Sequence, residues 1–134
     1  MAADDPVFSL PERPVHLGLG ARVVPQPPFT GIEWYDGYIE RHAADGDEGR
    51  LVSMYTFTEG WDSWEMHPHG EELVVCLDGE MTLHQELDGV TTTVTLGAGD
   101  AVVNPPGAWH IADVEGTARA LFITSGRGTE MRPR

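Results

Sequence analysis

Residues 64–79 read Trp-Glu-Met-His-Pro-His-Gly-Glu-Glu-Leu-Val-Val-Cys-Leu-Asp-Gly, so histidines and carboxylates stand directly before an apolar run. A short apolar run bounded by turn residues is typical of a buried strand. Residues 99–110, Gly-Asp-Ala-Val-Val-Asn-Pro-Pro-Gly-Ala-Trp-His, place one more histidine behind a rigid turn. Imidazole and carboxylate groups brought together from different strands are the usual ligands of a mononuclear metal site. The two stretches therefore predict such a site within a β structure.

Short strand-like segments separated by turn residues continue on both sides of these stretches, over residues 50–124. Asp88-Gly89 is a strong signal for a two-residue hairpin. The segment that follows it, residues 90–96, is rich in threonine and valine, which favour strands. We find no sustained helical periodicity. The pattern predicts an all-β fold, either a sandwich or a barrel.

Composition narrows the classes of partner. The chain has 134 residues, with 8 Lys and Arg against 22 Asp and Glu, and a formal charge of -14. Such an acidic surface repels phosphate backbones and anionic lipids, so we expect neither a nucleic acid nor a membrane partner. Cys76 is the single cysteine, which excludes an internal disulfide. Residues 1–6 are acidic and do not resemble a signal peptide, and we therefore expect a cytoplasmic protein.

The alternation of side chains along a strand groups the candidate ligands. Residues two apart share a face, so Glu65 and His67 should point the same way. On the next strand Glu72 should share a face with Cys76. If these strands lie close to the strand of His110, their polar groups can meet inside the fold. A metal ion bound there would compensate for the burial of these groups.

At this point the chain resembles the cupin superfamily of small β-barrels. The resemblance covers about residues 50–124, and the second motif is the more specific because it places four residues at set intervals. The matching residues are Glu72 and Gly79 in the first motif and Gly99, Pro105, Gly107 and His110 in the second. The resemblance implies a jelly-roll barrel, the cupin-type double-stranded β-helix.

The resemblance also implies a ligand set. In our preferred alignment the histidine positions of the first motif fall on Glu65 and His67, and the metal ligands are Glu65, His67, Glu72 and His110. Alternatively, His69 takes the place of Glu65. A Glu65 that does not bind the metal would be the catalytic general base. We expect a divalent first-row metal ion, either iron, manganese, nickel or zinc.

Several functions are compatible with this site. We expect a metal-dependent enzyme that acts on a small organic molecule, of the dioxygenase, isomerase or lyase type. The alternative is a non-catalytic module that binds a sugar or another small ligand. Metal-independent catalysis by a histidine and a carboxylate, as in cupin-like sugar epimerases, is a third reading.

The chain divides into three predicted parts. Residues 1–24 form an extended N-terminal arm, residues 25–125 a single barrel, and residues 126–134 a flexible tail. Because such an arm often adds a strand to the sheet of a neighbouring molecule, as is common in cupins, we predict a homodimer. We assign no role to His16 and His42, and we expect His84 to point outward.

Overall fold

The computed structural model describes residues 6–134. Its strands are β1 (Val15–Gly18), β2 (Arg22–Pro25), β3 (Arg50–Phe57), β4 (Ser63–Met66), β5 (Glu72–Asp78), β6 (Met81–Leu87), β7 (Val90–Leu96), β8 (Ala101–Asn104), β9 (Trp109–Asp113), β10 (Ala118–Thr124) and β11 (Glu130–Pro133). A helix α1 (Trp34–Arg41) and a 3₁₀ segment (Ala43–Glu48) lie between β2 and β3.

The strands form two antiparallel sheets. One has the order β2-β1-β3-β10-β5-β8 and the other the order β11-β4-β9-β6-β7. Their facing sides enclose the core, because residues two apart on each strand point inward. The largest buried group is Val74, Cys76, Met81, Leu83, Leu96, Ala112, Val114, Ala118, Ala120 and Phe122. The predicted all-β jelly-roll class is confirmed.

The predicted hairpin at Asp88-Gly89 connects β6 to β7, with Leu87 opposite Val90. Asp88 and Gly89 have φ of 52° and 77°. Two successive positive φ angles give the type I′ turn, whose twist matches that of the strands it joins. The turn therefore sets the register of the hairpin.

The helix α1 was not predicted from the sequence. Trp34 and Tyr38 lie one turn apart and bury the same face, where they pack with Leu51. Asp36 in the first turn and Arg41 in the last complement the helix dipole. The apolar face is only two turns long, and aromatic residues on both sides of it obscured the helical period.

Both chain ends add to the sheets. The hairpin of β1 and β2 pairs with β3 of the same chain, within the segment for which we predicted an arm, while residues 1–5 lie outside the described part. Where we predicted a flexible tail, β11 pairs with β4. Backbone hydrogen bonds to the edge of a sheet order this polar segment without requiring an apolar side chain on every second residue. Within residues 6–134, no helix is long and apolar enough to cross a membrane.

Candidate metal site

The site lies where β4, β5 and β9 approach each other. Glu65 on β4 is opposite His110 on β9 in the strand register. His67 follows β4 directly, and Glu72 begins β5. The Gly107 amide donates a hydrogen bond to the His67 carbonyl oxygen over 3.0 Å. This bond joins the loop that precedes β5 to the loop that precedes β9. The structure therefore brings together the four residues that we preferred as ligands.

The two imidazoles meet the Glu72 carboxylate from different sides. Nε2 of His67 lies 3.2 Å from Oε2, and Nε2 of His110 lies 3.1 Å from Oε1. Two ligands at roughly 2.1 Å from one metal ion, at right angles, would be roughly 3 Å apart. These contacts suit an ion pair, but neither is aligned as a hydrogen bond, so both buried Nε2 atoms lack a hydrogen-bond partner.

The hydrogen-bond partners of the other ring nitrogens indicate which nitrogen carries the hydrogen. Nδ1 of His110 lies 3.3 Å from the Ala108 carbonyl oxygen, which can only accept. Nδ1 of His67 lies 2.7 Å from the Thr129 hydroxyl oxygen, and that hydroxyl donates to the Gly126 carbonyl oxygen over 2.6 Å. Both Nδ1 atoms therefore donate. In each neutral ring Nε2 keeps its lone pair, which is the form that binds a metal ion.

Glu72 is held from both sides of its carboxylate. The Asn104 amide donates to Oε1 over 2.9 Å, and the Thr124 hydroxyl donates to Oε2 over 2.6 Å. Asn104 accepts in turn from the Gln85 amide. Such outer partners fix the orientation of a metal-binding carboxylate. Sequence reasoning missed Asn104 and Thr124, although both stand at strand ends that the pattern had identified.

Glu65 completes the group from a more open position. One possible ligand atom each from Glu65, His67 and His110 lies within 4.8 Å of the others. The Glu65 carboxylate is 4.0 Å from Nε2 of His110, and its side chain is 37% exposed. His69 stays outside this group, since its side chain is 49% exposed and approaches Asp47 instead. In the structure, Glu65 and not His69 lies beside His110.

The charges in the site shift its pKa values in different directions. Desolvation by burial raises the pKa of Glu65, and the charge of Glu72 adds to this effect. Burial alone would raise the pKa of Glu72, but the two imidazoles outweigh it and lower that pKa well below its usual range. Burial would lower the pKa of His110, but the Glu72 carboxylate outweighs it and the net shift is upward. Glu72 is therefore the ionised carboxylate of the site.

Three aromatic side chains lie near the candidate ligands. The hydroxyls of Tyr35 and Tyr55 are hydrogen-bonded to each other. Burial is the main reason that both phenol pKa values are raised, and the charge of Glu65 contributes to each. Trp61 makes an edge contact with the His110 ring at a centroid distance of 6.2 Å. The phenols therefore stay protonated at neutral pH, as neutral hydrogen-bonding groups near the carboxylate.

A second group of His and Asp residues lies elsewhere, between β1 and α1. Both ring nitrogens of His16 are hydrogen-bonded, Nδ1 to the Tyr38 hydroxyl and Nε2 to Asp45, each over 2.6 Å. His42 stacks on His16, and Arg22 lies 3.2 Å from Asp45. These atoms already have hydrogen-bond partners, and the Arg22 guanidinium supplies the positive charge beside Asp45. The group therefore holds α1 and the 3₁₀ segment against the sheet. We had assigned His16 and His42 no role.

Cys76, His84 and two tryptophans lie apart from the candidate ligands, and His84 points outward as expected. Cys76 is fully buried in the core. His84 lies on the opposite face of β6 from the site and pairs with Asp113 over 2.8 Å. Trp64 and Trp109 lie on that same outer face, where Arg132 packs between them.

Comparison with known proteins places the chain in a family. The Cupin_2 model, described as the cupin domain, matches residues 53–126, more than half of the chain. The chain therefore belongs to the cupin family. No curated protein matches it.

Solved structures support the fold at low sequence identity. The peptidase Peruvianin-I from Thevetia peruviana latex is 21% identical with a TM-score of 0.53, over 63% of this chain and 56% of that one. An oxalate oxidase is 18% identical with a TM-score of 0.53, over 60% of this chain and 44% of that one. An oxalate oxidase bound to the substrate analogue glycolate is 18% identical with a TM-score of 0.54, over 60% and 45%. The chain spans about half the length of these structures.

Proposed function

We propose that this cupin binds one divalent first-row metal ion through His67, Glu72 and His110, with Glu65 completing the shell. One observation carries the proposal. Two buried Nε2 atoms without a hydrogen-bond partner face one ionised carboxylate. Mixed imidazole and carboxylate ligands suit iron, manganese, nickel or zinc.

We further propose that the loaded protein is an enzyme that acts on a small organic molecule, of the dioxygenase, isomerase or lyase type. A bound ion would supply Lewis acidity at this site. The part-exposed Glu65, whose pKa is raised, can exchange a proton with a molecule at the mouth of the site if it is not a ligand. The Tyr35 and Tyr55 hydroxyls supply neutral hydrogen-bonding groups beside it.

The test is elemental analysis of the purified protein together with two histidine variants. We expect one metal ion per wild-type chain and none in His110→Ala, since the ring at this position is fully buried within the site. His84→Ala is the matched control, because His84 lies on the outer face of the same sheet. A His110→Ala protein that keeps one ion per chain would refute the assignment.

A non-catalytic module that binds a small ligand or a sugar is the second candidate. The observation that favours it is that both oxygens of Glu72 accept hydrogen bonds, from Asn104 and Thr124, so this carboxylate has partners without an ion. Thermal stabilisation by sugars or small acids in metal-free protein, together with no bound metal, would favour this function over the enzyme.

We also propose a homodimer and a cytoplasmic location. Strand β2 is the edge of its sheet, and Val23 on it is 64% exposed. Exposed apolar edge strands readily pair with another chain. Light scattering at micromolar concentration should give twice the mass of one chain, and a monomer would contradict the homodimer.

A further inference from the structure

The Nδ1 atom of His67 contacts a residue that follows the cupin motifs. The family match ends at residue 126, whereas Thr129 supplies the hydrogen-bond partner of His67 Nδ1, over 2.7 Å. We infer that Thr129 is a positioning residue that holds His67 with its hydrogen on Nδ1 and so leaves Nε2 free for the ion. This inference rests on the proposed function only where it concerns the ion.

The orientation of the Thr129 hydroxyl follows from its own turn. The Gly126 carbonyl oxygen accepts both the Thr129 amide over 3.2 Å and the Thr129 hydroxyl over 2.6 Å. A hydroxyl has one hydrogen, and here that hydrogen is committed to the carbonyl. Its oxygen can therefore only accept from His67. The ring must carry a hydrogen on Nδ1 whether it is neutral or charged.

The loop that carries Thr129 is anchored at both ends. On one side, the Ser125 hydroxyl donates to the Asp47 carbonyl oxygen over 2.6 Å. On the other side, β11 pairs with β4, whose end leads directly into His67. Thr129 is itself exposed, so its side chain is not part of the core. Its hydroxyl can thus be removed without opening a cavity in the core.

The experiment compares Thr129→Val with Thr129→Ser. A matched control is Thr91→Val, at an exposed threonine on β7 in the other part of the sheet. The first measurement is the tautomer of His67 in metal-free, ¹⁵N-histidine-labelled protein, from long-range ¹H–¹⁵N spectra at pH about 8.5, where an ordinary histidine is neutral. We expect hydrogen on Nδ1 in the wild type, Thr129→Ser and Thr91→Val, and a mixture of tautomers in Thr129→Val.

The second measurement is zinc affinity by competition with a chelator. Loss of such a partner typically weakens metal binding by about 10–100-fold, which we expect for Thr129→Val and not for the other two variants. A Thr129→Val protein that keeps the hydrogen on Nδ1 would overturn the inference, as would a wild type with its hydrogen on Nε2. A wild type that binds no zinc, with the tautomer altered in Thr129→Val, would refute the metal site while supporting the link between Thr129 and His67.

Discussion

His67 and His110 each give one ring nitrogen to the protein and turn the other toward Glu72. The distinction matters because an imidazole can bind a metal ion only through a nitrogen that carries no hydrogen. The Thr129 hydroxyl oxygen and the Ala108 carbonyl oxygen each accept a hydrogen bond from Nδ1, which leaves Nε2 as the nitrogen without a hydrogen. The neighbours of each ring therefore set which nitrogen would face a bound ion.

A substitution at Glu65 tests whether its carboxylate is the fourth ligand of the ion. We expect Glu65→Gln to weaken zinc binding by at least about tenfold, because an amide is a poorer ligand than a carboxylate and outer contacts alone can change affinity this much. Competition with a chelator measures the effect. The matched control is Glu71→Gln, at an exposed position six residues further on. Equal zinc affinity in the two variants would exclude Glu65 from the shell and leave it the role of a base.

Gly79 is required by both its backbone angle and its surroundings. Its φ is +78°, and a Cβ atom would lie 2.1 Å from the Thr117 carbonyl oxygen. We expect Gly79→Ala to lower the free energy of unfolding by roughly 3 kcal/mol or more, since a clash with backbone adds to the left-handed strain. Gly89→Ala has nearly the same φ, +77°, with nothing within 4 Å, and should cost only about 1 kcal/mol. Urea unfolding measures both, and equal losses would show that the angle alone requires glycine.

At the scale of elements, the Arg132 side chain joins β11 to three neighbouring strands. The Arg132 guanidinium lies 4.9 Å from the Trp64 ring centroid and 4.6 Å from that of Trp109. It also forms an ion pair with Glu86 over 2.6 Å. These contacts join β11 to β4, β9 and β6 across the outer face of the sheet. The arginine therefore ties the end of the chain to the strands that carry Glu65 and His110.

We expect Arg132→Ala to lower the free energy of unfolding by roughly 1–2 kcal/mol, from two cation–π contacts and one partly exposed ion pair. Chemical unfolding measures this loss. The control is Arg119→Ala, at an exposed arginine on β10, for which we expect a change within about 0.5 kcal/mol. If the two variants have the same stability, the Arg132 side chain does not stabilise β11.

At the scale of the whole molecule, pH links the site to stability. In the metal-free protein the lowered pKa of Glu72 contributes stability above its ordinary value of 4.5, which is lost as pH falls through the folded pKa. The raised pKa of His110 contributes stability below 6.5, which is lost as pH rises through its folded pKa. Zinc binding requires His110 to be neutral, because the ion must replace the hydrogen on Nε2, so it is favoured by high pH.

We therefore expect zinc binding to weaken as pH falls from about 8 to about 6, by up to about tenfold for each pH unit below the pKa of His110. The fall should begin above 6.5, because the Glu72 carboxylate raises that pKa against the effect of burial. Calorimetry in two buffers of different ionisation enthalpy measures the protons released. An affinity that is constant across this range, with no proton release, would contradict the site.

The sequence by itself determined the all-β class, the Asp88-Gly89 hairpin and the segments that supply Glu65, His67, Glu72 and His110. These features depend on neighbours along the chain, through side-chain alternation, turn residues and motif spacing. The sequence did not predict the helix α1, because its buried face spans only two turns. It did not predict β11, because backbone pairing orders that strand.

Only the tertiary structure decided what supports the site. Asn104, Thr124 and Thr129 come from strand ends and a loop up to 62 residues away from their partners. Which of Glu65 and His69 lies beside His110 likewise depends on the fold, and in the structure it is Glu65. Hydrogen bonds between distant residues require particular distances and angles. For Glu72 these arise when β5 pairs with β8 and β10 in one sheet, and for His67 when β11 pairs with β4 in the other.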